Sequence, residues 1–238
     1  MRRRVILTRS EEDIERDRRA FESLGFEVVS LPLIRTVPLD FPVPETGADY
    51  IVFQSAKAVR FFLERAGIPE GTKVVAVGEK TGEVLESFGV KVDLIPEDWS
   101  AEGIVRAFPE GSGEVVLVPR SRKGREEVIR GLEAKGYRVI PLEVYDTVHI
   151  RHTSEKVREV LSGGGFLVFA SPSAVRGLFA NLQKEEILAL VKGLVVVAIG
   201  KTTKKELERE GIDPEIVPKK PLMEEVAREI GRFWQENC

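Results

Sequence analysis

The sequence predicts an α/β protein with two lobes, each built on a parallel sheet. Short apolar runs alternate along the chain with charged segments of helical length, which is the order of strands followed by helices. That alternation favours parallel sheets covered by helices on both faces. After a turn at 109–113 the same order of units begins again, so the chain contains two copies of one unit.

Length and composition exclude several classes of protein. A chain of 238 residues can bury a core that needs no disulfide or metal, and its single cysteine, Cys238, rules out a disulfide framework and indicates a cytoplasmic setting. The apolar run behind the basic amino terminus covers only 5–7, too short for a signal peptide or a membrane span. The net charge of −3 does not suggest a nucleic-acid partner. We therefore expect a soluble cytoplasmic protein that binds neither nucleic acid nor membrane.

The first copy begins with a strand at 5–7 and a helix from Ser10 to about Leu24. Ser10 and Asp13 have the spacing of a capping box, and Gly25 is typical of a helix end. A second strand is predicted at 26–31. Three more strands, each followed by a helix, are predicted at 50–53, 73–77 and 92–95, with the last helix beginning after Ser100.

The second copy repeats these segments in the same order. Residues 116–121 match 5–10, residues 169–176 match 53–60, and residues 197–203 match 75–81. Each copy also contains an extended interruption after its first βαβ unit, at about 33–40 and 143–150, with Pro38 inside the first and Pro141 just before the second.

The interruptions bear on how the two copies fold. The simplest division cuts the chain at 109–113 and lets each copy fold alone, but a self-contained sheet does not need the same interruption twice. If each copy instead gives its first βαβ unit to the other copy's sheet, the interruptions become two antiparallel strands between the lobes. This exchange predicts one lobe from 1–35 plus 149–238 and a second lobe from 38–145.

Candidate binding residues lie in six turns that follow predicted strands. Ligands of parallel sheets bind beyond the carboxyl ends of the strands, where helix N-termini offer unpaired N–H groups. Simple helix capping by Ser and Thr explains any single turn equally well, but matched turns in both copies favour binding of carboxylates or phosphates. The candidate residues are Arg9, Ser10, Ser55, Ala56, Gly78, Thr81, Arg120, Ser171, Ser173, Gly200, Lys201, Thr202 and Thr203.

The two arginines have two possible roles. Arg9 and Arg120 occupy equivalent positions of the two copies, each directly after a predicted strand. They could steer acidic groups of a ligand, or they could pair with carboxylates of the following helix. The sequence does not separate these roles.

Two other features are weak signals. Gly200-Lys201-Thr202 resembles part of a phosphate-binding loop, but the required glycine at 195 is Val195, so an ATPase or a nucleotide-dependent transferase is disfavoured. His149 and His152 are the only histidines and have no third ligand nearby in the sequence. We expect them to be solvated linker residues and expect no metal site.

The order of the motifs resembles the uroporphyrinogen-III synthase family over nearly the full length. No single motif is diagnostic, but all of them occur in register. They are Leu7-Thr8-Arg9 with Gly25, the segments 49–59, 75–81 and 144–147, and the matching segments 169–175 and 198–203.

The resemblance implies two flavodoxin-like α/β lobes, joined by a two-stranded β-ladder linker, with the active site in the cleft and no cofactor or metal. By position, Ser55, Thr81, Ser171 and Thr203 match the family's cleft hydroxyls, and Tyr145 matches its cleft tyrosine. The sequence departs from the family at two positions: Lys201 stands where many members have proline, and Gln54 where threonine is usual.

The implied activity is that of a lyase of tetrapyrrole and heme biosynthesis. It would cyclise hydroxymethylbilane to uroporphyrinogen III, with loss of water and inversion of the fourth pyrrole ring. Tyr145 would donate a proton or a hydrogen bond to the departing hydroxyl, and Arg9, Arg120 and Lys201 could assist in binding the eight carboxylates. We expect a monomer. The alternative is a bilobal protein that binds an anionic small molecule without catalysis.

Overall fold

The computed structural model describes residues 2–42 and 47–237, so Cys238 lies outside the described residues. The chain divides into two compact units: unit 1 is Met1–Thr36 with Val148–Cys238, and unit 2 is Val37–Thr147. Both contain parallel sheets with helices, which confirms the predicted fold class. Within the described ranges, no helix is both long and apolar enough to cross a membrane.

The structure contains nine named strands and ten helices in its described part. In chain order they are β1 (Arg4–Leu7), α1 (Glu11–Glu22), β2 (Glu27–Ser30), β3 (Ile34–Pro38), β4 (Tyr50–Phe53), α2 (Ala56–Leu63), β5 (Lys73–Ala76), α3 (Glu79–Ser87), α4 (Ala101–Ala107), β6 (Val115–Ser121), α5 (Glu127–Ala134), β7 (Arg138–His149), α6 (Ser154–Ser162), β8 (Phe166–Phe169), α7 (Pro172–Phe179), α8 (Lys184–Val191), β9 (Val195–Ala198), α9 (Lys201–Glu210) and α10 (Met223–Asn237).

Unit 1 is a four-stranded parallel sheet in the order β2-β1-β8-β9. Side chains of the central strand β1 alternate between its two faces. Ile6 packs in the apolar cluster of α6, α7, α8 and α9, whereas Val5 and Leu7 pack in the cluster of α1 and α10. All three side chains are fully buried, as expected for a strand with helices on both faces.

Unit 2 is a five-stranded sheet in the order β3-β7-β6-β4-β5, in which β7, β6, β4 and β5 are parallel. At one end of β3 the Leu39 N–H donates to the Val144 carbonyl, and at the other end the Ile150 N–H donates to the Leu33 carbonyl. These two contacts show that β3 and β7 run in opposite directions.

The sheet orders confirm the exchange of βαβ units. Strand β1 of the first copy pairs with β8 of the second copy, and β6 of the second copy pairs with β4 of the first. A cut at 109–113 would break both sheets. The boundaries of the two units instead fall within β3 and β7, the strands formed by the two predicted interruptions.

One predicted strand is wrong. Residues 92–95 form a single bridge, between Leu94 and Val75, rather than a strand. The carboxylate of Asp93 accepts a hydrogen bond from the Val74 N–H, and Pro96 has no N–H to continue a ladder. The matched segment of the second copy likewise forms one bridge, between Ile216 and Val197.

We expect Gly103→Ala to destabilise the protein, although alanine favours helices. Gly103 lies in α4, and a Cβ there would be 1.8 Å from the carbonyl oxygen of Asp98. Relieving this clash should cost about 1–3 kcal/mol in the free energy of unfolding, measured with urea. Gly67→Ala is the control, because a Cβ at Gly67 has no neighbouring atom within 4 Å. Equal stability of the two variants would contradict the prediction.

Candidate active site

The carboxyl edge of the unit 2 sheet carries three of the predicted residues on two helix starts. Ser55 follows β4 and caps α2, with its Oγ accepting a hydrogen bond of 3.1 Å from the Ala58 N–H. Gly78 follows β5 and begins α3 in extended backbone without a side-chain cap. Thr81 lies in the first turn of α3 and is 5% exposed. Among the described residues, none forms a hydrogen bond with the Thr81 hydroxyl.

Tyr145 lies on the same edge, because β7 places it beside Ser121, the last residue of the parallel strand β6. Its ring stacks on Phe61 of α2, with 5.1 Å between the centroids and 21° between the planes. The side chain of Ser55 lies close enough to the Tyr145 hydroxyl to influence its pKa. The structure therefore brings together two residues that the sequence analysis placed apart, Ser55 in a turn after a strand and Tyr145 in the interruption at 143–150.

The pKa of Tyr145 reflects these contacts. Burial of the half-buried ring raises the pKa of its hydroxyl above the ordinary value, and the hydrogen bond with Ser55 acts in the lowering direction. A hydrogen bond lowers the pKa of a phenol when it is donated to the oxygen, because it stabilises the anion. Ser55 accepts from the Ala58 N–H, which leaves its own O–H able to donate to the phenolic oxygen of Tyr145.

The carboxyl edge of the unit 1 sheet repeats the same design. Ser171 caps α7 by accepting a hydrogen bond of 3.2 Å from the Ala174 N–H, and Gly200 begins α9 without a side-chain cap. Thr203, in the first turn of α9, is 3% exposed, and no described residue forms a hydrogen bond with its hydroxyl. Each unit therefore has two such helix starts and one threonine whose hydroxyl has no described partner.

The remaining predicted residues of these turns lie at the surface or pack locally. Ala56 is the first residue of α2, while Lys201 and Thr202 are the exposed first residues of α9. The Ser173 hydroxyl accepts a hydrogen bond of 3.3 Å from Arg176 on the next turn of α7.

The arginines and Ser10 are occupied within their own turns. Arg9 donates to Asp17 at 2.5 Å and lies 3.6 Å from Asp13, so it pairs with carboxylates of the following helix. The Ser10 hydroxyl donates to Asp13 at 2.9 Å, which corrects the predicted capping box: Ser10 precedes α1, but its side chain accepts no hydrogen bond from the helix.

The turn at Arg120 also differs from the prediction. Strand β6 continues through Ser121, and α5 begins only at Glu127, so no helix starts beside Arg120. The guanidinium instead donates to the carbonyls of Ser121, at 3.2 Å, and Gly124. A helix start was predicted because this turn matches Thr8-Arg9-Ser10, but β6 is three residues longer than β1.

His152 is not a solvated linker residue. Its Nε2 lies 2.6 Å from the Pro32 carbonyl, and its backbone N–H donates to Asn181, which in turn donates to the Ile150 carbonyl. Within the described ranges, no group of three His, Cys, Asp or Glu residues could hold a metal ion. Val195 begins β9, so the sequence Gly200-Lys201-Thr202 does not belong to a phosphate-binding loop.

The sequence analysis missed Phe61. Its equivalent in the second copy is Gly177, where a Cβ would be 2.7 Å from the Leu33 carbonyl, so an aromatic side chain has no room there. Aligning the two copies places Phe61 at the position equivalent to Gly177. This difference in size was the signal in the sequence that the two edges differ.

Comparison with known protein families adds a finding to this geometry. The family model described as "Uroporphyrinogen-III synthase HemD" matches residues 15–228, most of the chain. The chain belongs to the uroporphyrinogen-III synthase family. The resemblance found in the sequence motifs is confirmed.

Two relatives support this membership along the chain. A protein of Archaeoglobus fulgidus, named after the same family, is 34% identical over 220 residues, which cover 90% of this chain and 92% of the relative. The uroporphyrinogen-III synthase of Chlorobaculum parvum is 28% identical over 229 residues, covering 90% and 92%.

Two solved structures of the family have the same fold. A uroporphyrinogen-III synthetase from Helicobacter pylori has a TM-score of 0.68 at 18% identity and covers 98% of this chain and 100% of its own. A mutant uroporphyrinogen III synthase from Thermus thermophilus has a TM-score of 0.63 at 22% identity, with 98% and 99% covered. At these identities the likeness concerns the fold alone.

Ser55→Ala should have two effects. Ser171→Ala, the equivalent change in the other unit, should have only the first of them. Both variants lose a helix cap, which should lower the free energy of unfolding by about 1 kcal/mol. Only Ser55→Ala also removes the hydrogen bond that lowers the pKa of Tyr145. In a titration of tyrosinate absorbance, we therefore expect one tyrosine of Ser55→Ala to ionise at higher pH than in the wild type, and no such shift in Ser171→Ala. Identical titrations of the two variants would rule out the Ser55–Tyr145 bond.

Proposed function

We propose that this chain is a uroporphyrinogen-III synthase, which closes hydroxymethylbilane to uroporphyrinogen III with loss of water and inversion of the fourth ring. The observation that carries the proposal is the position of Tyr145 at the carboxyl edge of a parallel sheet, with its ring stacked on Phe61 and the Ser55 side chain nearby. Family membership supplies the substrate and the reaction, and this contact supplies a proton donor. No finding favours the alternative of a binding protein.

Tyr145 is suited to donate a proton to the hydroxyl that leaves the bilane. Its raised pKa keeps the phenol protonated at neutral pH. In this proposal Ser55 donates to the phenolic oxygen, which leaves the O–H of Tyr145 available to the substrate. As the C–O bond breaks, the Tyr145 proton and the hydroxyl leave as water, and Ser55 stabilises the phenolate.

The pyrrole nitrogen of the first ring supplies electrons as the hydroxyl leaves, which gives an azafulvene. The azafulvene forms a bond with the substituted carbon of the fourth ring. The resulting spiro intermediate fragments and closes again with that ring inverted, and the proton lost when the pyrrole becomes aromatic again restores Tyr145. The overall reaction changes no oxidation state, so the proposal requires no redox cofactor.

The carboxylates of the bilane match the helix starts on the two edges. The first-turn N–H groups of an α-helix have no partner within the helix and favour anions. At α3 and α9 these groups lie beside the unpartnered hydroxyls of Thr81 and Thr203. We propose that these two turns bind substrate carboxylates and that Lys201, which is exposed, adds a cation at α9.

Arg9 and Arg120 play a different part in this proposal. Arg9 is paired with Asp13 and Asp17, and Arg120 is bound to carbonyls of its own loop. We propose that they shape the turns without touching the substrate. The monomeric state and the cytoplasmic location stay predictions.

The assignment is tested by incubating the purified protein with freshly made hydroxymethylbilane. The products are oxidised to porphyrins and separated as isomers I and III. An unaided bilane closes without inversion, so we expect isomer III only when the protein is present. Isomer I as the only product would contradict the proposed function.

Tyr145→Phe should lower kcat by about 10²-fold, the lower end of the effect of a positioned proton donor, and should leave the fold intact. Tyr137→Phe is the matched control. Tyr137 directly precedes β7, at the other edge of the sheet, and its hydroxyl donates to the Pro109 carbonyl. Rates are corrected for spontaneous closure, and circular dichroism checks folding. Equal kcat values for the two variants would remove Tyr145 from the mechanism.

A further inference from the structure

Trp99 is an exposed aromatic residue beside the candidate site of unit 2. It leaves 56% of its surface exposed, the largest fraction among the exposed large apolar residues identified in the described part of the chain. Its indole lies on Gly78: a Cβ at Gly78 would be 2.9 Å from Cγ and 3.0 Å from Cδ2 of the indole. Gly78 begins α3, so the indole lies at the same turn as Thr81.

The segment that carries Trp99 is held along α3 by a second glycine. A Cβ at Gly82 would be 3.1 Å from Cδ1 of Ile95, so Ile95 and Trp99 lie against glycines that are one helical turn apart. The carbonyl of Asp98 is packed still more closely on Gly103 of α4. The indole is therefore attached to a segment fixed at three points.

Helix capping does not account for a tryptophan at this position. Trp99 precedes Ser100, the N-cap of α4, and a residue there often packs on the fourth helical residue, here Ile104. Such a contact would bury the side chain, yet more than half of Trp99 is exposed while Ile104 is fully buried.

The internal repeat shows that covering the glycine does not require an aromatic ring. The counterpart of Gly78 is Gly200, and a Cβ at Gly200 would be 3.3 Å from Cβ of Pro221. Pro221 precedes α10 by the same number of residues as Trp99 precedes α4. A small ring covers the turn in unit 1, so covering the glycine does not by itself explain the exposed indole in unit 2.

We propose that Trp99 contacts the substrate, with the exposed face of the indole stacked on one pyrrole ring of the bilane. This inference rests on the proposed function. Each pyrrole of the bilane has a flat apolar face and carries two carboxylate side chains. An indole beside the unpartnered Thr81 hydroxyl matches both parts, because stacking binds the ring while the turn binds a carboxylate.

Kinetics of Trp99 variants test the proposal. Stacking that is equal in the ground state and the transition state changes KM and leaves kcat unchanged. We expect Trp99→Ala and Trp99→Leu to raise KM about three- to tenfold, with kcat near the wild-type value, and Trp99→Phe to retain most of the affinity. Leucine keeps apolar bulk without an aromatic face, so a wild-type KM for Trp99→Leu would overturn the stacking.

Phe88→Ala is the matched control. Phe88 is 45% exposed at the opposite end of α3, so its loss removes a similar exposed aromatic residue from the same helix. We expect a wild-type KM for Phe88→Ala. Wild type and Phe88→Ala should both form isomer III. If they do and Trp99→Ala has the same KM, the proposed contact of Trp99 with the substrate is wrong while the proposed function stands. If wild type forms no isomer III, the proposed function itself fails.

Fluorescence gives a second readout. The chain has two tryptophans, Trp99 and Trp234, and Trp234 packs on Phe26 in unit 1 with 5.9 Å between the ring centroids. In Trp234→Phe, colourless uroporphyrinogen III should quench the remaining emission saturably. In Trp99→Phe, the same titration should leave the Trp234 emission unchanged. Unchanged emission in Trp234→Phe would overturn the contact.

Discussion

Parallel strands bring their carboxyl ends to one edge of a sheet, and the position of every candidate residue depends on this constraint. In unit 2 it places Ser55, Gly78 and Tyr145 on the same edge, although 90 residues of sequence separate the first from the last. The edge also receives the starts of α2 and α3, and helix N-termini suit anions. In the proposed function, one arrangement of strands thus supplies the proton donor and an anion-binding turn together.

The two copies share this scaffold but differ in the residues that make it reactive. Ser55 and Ser171 cap equivalent helices, and Thr81 and Thr203 occupy equivalent first turns. Unit 2 alone adds Phe61 under Tyr145 and Trp99 on Gly78, where unit 1 has Gly177 and Pro221. The repeated hydroxyls and N–H groups fit recognition of a substrate with repeated carboxylates, while the aromatic residues adapt one edge to chemistry and to stacking on a ring.

Much of the fold could be predicted because the repeat fixes the order of strands and the interruptions at 33–40 and 143–150 imply the exchange. Details that depend on individual side chains could not. Residues 92–95 were predicted as a strand from their apolar residues, but Asp93 and Pro96 limit them to one bridge. The approach of Ser55 to Tyr145 and the stacking of Tyr145 on Phe61 depend on the register of β7, which does not follow from sequence spacing.

The pH dependence of kcat tests the central claim, that protonated Tyr145 is the donor, most directly. Burial raises the pKa of Tyr145, so the donor form persists at neutral pH and is lost as pH rises through that raised value. We expect wild-type kcat, corrected for spontaneous closure, to fall only at alkaline pH, and to fall at still higher pH in Ser55→Ala. In Tyr145→Phe the alkaline decrease should disappear. An unchanged alkaline decrease in Tyr145→Phe would contradict the account.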